Sequence, residues 1–100
     1  MEGVMREAAE LLKSRIKEGK VICEFTGDCY ICYLKKGSDW FIVAISHGKS
    51  LYAKIVPYGK FPIIENCEGV LVAPNGLFAF GENEEKLVEE ILKKLEIIKK

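Results

Sequence analysis

Residues 20–56 read KVICEFTGDCYICYLKKGSDWFIVAISHGKSLYAKIV, and this stretch decides the fold. Residues 21–25, 30–34, 40–45 and 51–55 are short runs rich in β-branched and aromatic side chains. Between them stand Gly27-Asp28, Lys36-Gly37-Ser38-Asp39 and His47-Gly48-Lys49, which have the chemistry of turns. The pattern predicts a four-stranded antiparallel meander.

Register follows from the first turn. A two-residue turn at Gly27-Asp28 sets Phe25 opposite Tyr30, Glu24 opposite Ile31 and Cys23 opposite Cys32. Side chains alternate along a strand, so an inner face collects Val21, Cys23, Phe25, Tyr30, Cys32 and Leu34. Pairing across the second turn adds Phe41, Val43 and Ile45 to it. A three-residue loop at His47-Gly48-Lys49 keeps Leu51, Ala53 and Ile55 inside. The outer face then holds Ile22, Glu24, Thr26, Cys29, Ile31, Tyr33, Trp40, Ile42, Ala44, Tyr52, Lys54 and Val56.

Outward from the meander, the N-terminal segment has helical period. Val4, Met5, Ala8, Ala9, Leu12 and Ile16 form one stripe over residues 2–18, and Gly19 supplies a left-handed stop. Residues 57–69 carry two prolines and two glycines and read as an irregular loop. Phe61, Ile63 and Ile64 in it are expected to plug a core edge, or Tyr58 and Phe61 to form a binding rim. Residues 70–73 and 77–80 flank Pro74-Asn75-Gly76 and are expected to form a second hairpin. Asn83 is an N-cap for a last helix, with Leu87, Val88, Ile91, Leu92, Leu95 and Ile98 as its apolar stripe. The expected fold is a single α+β domain over residues 1–100. It is an antiparallel sheet of about six strands, with the N- and C-terminal helices packed on one face because each has a single apolar stripe.

Composition bounds the function. Fifteen basic and fifteen acidic residues cancel, which disfavours a nucleic-acid-binding sheet. No apolar run is long enough to span a bilayer, and no leader pattern opens the chain, so a cytoplasmic protein is expected. Lysine outnumbers arginine thirteen to two, glutamate outnumbers aspartate thirteen to two, and glutamine is absent, a thermophile-like bias.

The chemistry-bearing residues are sparse. Cys29-Tyr30-Ile31-Cys32 has the spacing of half a zinc site or a redox dithiol. On a strand, however, residues three apart point to opposite faces, and no second pair completes a tetrahedral site. Cys67 lies between Glu65 and Glu68, which disfavour a thiolate. Cys23 and Cys32 are expected to be cross-strand neighbours on the inner face, either as packed thiols or as an oxidised pair. His47 is the lone histidine and sits in a turn. The carboxylates and serines outside the helices make no catalytic constellation, and the glycines form no phosphate loop. Neither a catalytic residue, a metal site nor a cofactor is expected.

A sheet with both terminal helices on one face resembles profilin-like and roadblock-like modules in element order. The final strand–turn–strand–helix is similar to half of a TATA-box-binding fold. Element order alone is no warrant for function.

The functional expectation rests on the outer face. A solvated sheet face alternates to polar residues, yet this one presents Ile31, Tyr33, Trp40, Ile42 and Tyr52. The chain is therefore read as a non-catalytic binding or assembly module, homodimeric through that surface or joined there to a protein partner. The alternatives are a loop over residues 57–69 that folds back to cover this face, and a small-ligand-binding or thiol-dependent protein that uses that loop.

Overall fold

The structure is a computed structural model that describes residues 2–17, 19–58 and 66–98. Helix α1 (Glu2–Arg15) leads into strands β1 (Lys20–Phe25), β2 (Tyr30–Lys36), β3 (Asp39–His47) and β4 (Leu51–Tyr58). Helix α2 (Cys67–Leu71), strand β5 (Leu77–Gly81) and helix α3 (Glu84–Ile98) follow. The five strands form one antiparallel sheet in sequence order, β1-β2-β3-β4-β5.

The first hairpin takes the register its turn dictates. Phe25 faces Tyr30, Glu24 faces Ile31 and Cys23 faces Cys32. The Thr26 amide donates to the Cys29 carbonyl at 2.9 Å, and Gly27 adopts a φ of 98°, which favours glycine. The second turn tightens to Gly37-Ser38, with Lys36 opposite Asp39. The third loop has three residues as expected, but it is Gly48-Lys49-Ser50, so His47 faces Leu51 and Ile45 faces Ala53. This displaces the pairing by two residues, an even number, and every side chain keeps its face.

Helices α1 and α3 lie together on the inner face. Helix α1 packs on β1, β2 and β3, while α3 packs on β4, β5 and α1. Met5, Ala8, Ala9 and Leu12 from α1 meet Leu87, Val88, Ile91 and Leu95 from α3 in the same core as Leu34, Phe41, Val43, Ile45 and Ile55. The α3 entry is capped as its sequence predicts: the Lys86 amide donates to Asn83 Oδ1 at 2.9 Å.

One expected strand is a helix, and the sheet has five strands instead of about six. Residues 70–73 do not pair with 77–80. Instead β5 adds directly to β4, with Ile55 opposite Leu77 and Ala53 opposite Ala79. The apolar Val-Leu-Val run is absorbed into the turn that ends α2. Asn66 starts that helix, its Oδ1 accepting from the Gly69 amide at 2.6 Å. The segment is held away from the edge of β5, by the bridge from Cys67 to Cys29 and by bonds from Lys54 to the carbonyls of Val70, Leu71 and Ala73. Without the hairpin, the likeness to half of a TATA-box-binding fold also lapses.

Candidate functional site: the outer sheet face

Helix α2 returns over the outer face, against β3 and β4. Two devices hold it there. The first is a disulfide between Cys29, at the start of β2, and Cys67, the first residue of α2, with Cα atoms 6.1 Å apart. Both are buried. The second is Lys54, a lysine on β4 that is only 3% exposed. Its Nζ donates to the carbonyl oxygens of Val70 (3.3 Å), Leu71 (3.3 Å) and Ala73 (2.7 Å). Three donors thus meet three carbonyl acceptors at and just beyond the end of α2, where the Val70 oxygen also accepts from the Ala73 amide at 3.3 Å. The ammonium also lies 4.9 Å from the centre of the Phe78 ring. Burial pulls its pKa below the ordinary lysine value.

Helix α2 changes the character of the predicted surface. Ile31 and Ile42 have no exposure, Tyr33 is buried, and Trp40 and Tyr52 are half-buried. Ile31, Tyr33 and Ile42 are therefore core residues within one chain and not members of an exposed contact. The expectation of a bare face is corrected by the segment after β4, which supplies a second, smaller layer. Tyr58 ends β4; its side chain and the whole of Phe61, the two proposed rim residues, lie outside the described residues, as do Ile63 and Ile64.

What stays exposed on this face lies at the edges. Phe78 on β5 is 43% exposed and Phe80 is 59% exposed. Their ring centres are 6.2 Å apart and stacked, and the Tyr52 ring lies 6.2 Å from that of Phe80. On the opposite edge Ile22 of β1 is 56% exposed beside Glu24. Sequence reading placed Tyr52 correctly on this face. It missed Phe78 and Phe80, because a hairpin with residues 70–73 would have made β5 a covered strand. The visible signal was the Leu-Phe-Ala-Phe-Gly run, which has no charge to protect an edge.

The cysteines divide between the two faces. Cys23 and Cys32 are bridged across β1 and β2 with Cα atoms 4.0 Å apart, as neighbours directly opposite in the ladder. Cys29 points the other way and bonds to Cys67. The Cys29-x-x-Cys32 pair is thus split between two separate disulfides, and neither sulfur is a free thiol. Among the described residues, no three histidine, cysteine or acidic side chains cluster as metal ligands, and no helix is long and apolar enough to cross a membrane. No family model, curated protein or solved structure matches this chain.

Proposed function

We propose that the protein is a non-catalytic assembly module that self-associates through the free edge of β5. The supporting observation is the exposed ring cluster of Phe78 and Phe80, with Tyr52 beside it, on a strand that no other strand flanks on its outer side among the described residues. Natural edges are blunted by charge, proline or bulges, and Leu77–Gly81 has none of these. The other edge strand begins with Lys20 and carries Glu24.

The occupant that fits is a second copy of this chain. An antiparallel pairing of two β5 strands about a two-fold axis at Ala79 sets Phe78 opposite Phe80 of the partner subunit and Leu77 opposite Gly81 of the partner subunit. That register is self-complementary, as a two-fold contact must be. It joins the two aromatic strips into one continuous cluster on a common sheet face, where cross-strand aromatic pairs each contribute about 0.2–1 kcal/mol.

Light-scattering mass measured across a concentration series tests this. The wild type should be a dimer, and Phe80→Glu should be a monomer with unchanged far-UV circular dichroism. Ile22→Glu, on the opposite edge, should leave the dimer intact. A wild type that stays monomeric at its highest soluble concentration rules the reading out, and so does equal dissociation by Ile22→Glu and Phe80→Glu.

A further inference from the structure

We propose a second, separate site: the groove between the end of α1 and the later turns of α3 binds a small amphipathic anion, an acidic head on an apolar body. The groove has a volume of about 550 Å³, within the range usual for small-ligand sites. Its apolar wall is Ile16, Leu92 and Leu95. Arg15, Lys17, Lys36 and Lys93 surround that wall, with Glu96 as the one carboxylate among its described lining residues.

The charge balance favours an incoming anion. Lys36 Nζ lies 2.8 Å from Glu96 Oε2, so one cation offsets the lining carboxylate. Arg15 reaches Glu85 at 3.5 Å and Lys93 reaches Glu90 at 3.7 Å, both carboxylates lying outside the groove lining. Exposed pairs of this kind contribute little and yield to a better-placed anion. Lys17 has no ion-pair partner among the described residues. Three cations are therefore available beside an aliphatic wall. A purely polar anion would leave that wall wet, and a purely apolar ligand would leave the cations unused. The net charge of the whole chain is zero, so this positive lining is local.

Titration of ¹⁵N-labelled protein with sodium octanoate below its micelle concentration, followed by amide shifts, tests the site. Saturable shifts should centre on Ile16, Lys17, Leu92 and Lys93. Acetate and 1-octanol, which each lack one half of the ligand, should bind at least about tenfold more weakly. Arg15→Glu combined with Lys17→Glu should weaken octanoate by about tenfold or more. Lys17→Glu alone changes an exposed residue outside every helix and strand, and should weaken binding by about threefold even if the double variant fails to fold. Absence of saturation, affinity unchanged in both variants, equal affinity for octanol, or shifts confined to Phe78 and Phe80 would each overturn the proposal. Only the last of these outcomes touches the β5 contact, which the mass measurement tests separately.

Discussion

Lys54 is the residue on which the outer layer depends. A lysine in a sheet core is costly unless its three protons are satisfied, and here two α2 carbonyls and that of Ala73 satisfy them. Lys54→Met removes the charge and takes the ammonium donor from the Leu71 and Ala73 carbonyls, while the Val70 carbonyl keeps the Ala73 amide. We expect a loss of about 1–3 kcal/mol in urea unfolding with both disulfides intact. Fast amide exchange confined to α2 should accompany it. The pH dependence has a definite sign. Burial lowers the folded pKa below 10.5. Between that lowered value and 10.5, the unfolded chain holds more protons than the folded one, so unfolding free energy rises with pH. The wild type should therefore gain on Lys54→Met as pH climbs through that window. A shrinking difference would mean that the three carbonyls favour the charge more than burial opposes it.

Among the elements, α2 and α3 are held by different physics. Helix α3 is docked by its apolar stripe, of which Ile91 has no exposure while Leu92 is half-buried at the groove. Ile91→Ala should destabilise by about 2–5 kcal/mol, with Leu92→Ala clearly below it, as measured by denaturant unfolding. Losses under about 1 kcal/mol at both positions would mean that α3 is not packed on the sheet. Helix α2 has five residues, too few to persist on its own, and depends on its tethers. The Cys29–Cys67 bridge spans 38 residues of sequence and Cys23–Cys32 spans 9. Loop-closure entropy assigns about 4 kcal/mol to the first and about 2.5 kcal/mol to the second. Replacing each pair by alanine should reproduce that order in melting or urea curves. The reverse order would place the main constraint in the β1–β2 hairpin.

For the molecule as a whole, the two sheet faces are unequal. The inner face is covered by two long helices, and the outer face by α2, which leaves the β5 edge exposed. This separates two substitutions that a bare outer face would have made equivalent. Ile42→Glu buries a carboxylate at a site with no exposure and should unfold the protein. Phe80→Glu acts at an exposed ring and should alter the assembly state only. Circular dichroism and light scattering on the two variants would tell them apart. Equal loss of fold in both would make Phe80 a core residue.

Much of this was legible in the chain because it depended on local rules. Turn residues and period-two alternation determined the β1–β4 meander, its faces and the meeting of Cys23 with Cys32. Stripe periodicity and Asn83 determined α1 and α3, and the single stripe on each placed both on one face. Tertiary structure alone decided the rest. Whether Val70-Leu71-Val72 became strand or helix turned on the ties that Cys29 and Lys54 make to this segment, contacts between residues far apart in sequence. The partner of Cys29 turned on where α2 landed, since spacing along the chain carries no information about contacts across a sheet face. Lys54 reads as a polar interruption of a strand until the carbonyls of a helix end and the turn after it, 16 to 19 residues later, close around it. Burial of Ile31 and Ile42, and with it the retreat of the exposed apolar surface to Phe78 and Phe80, followed from that same packing, because a side chain's exposure is set by what folds over it.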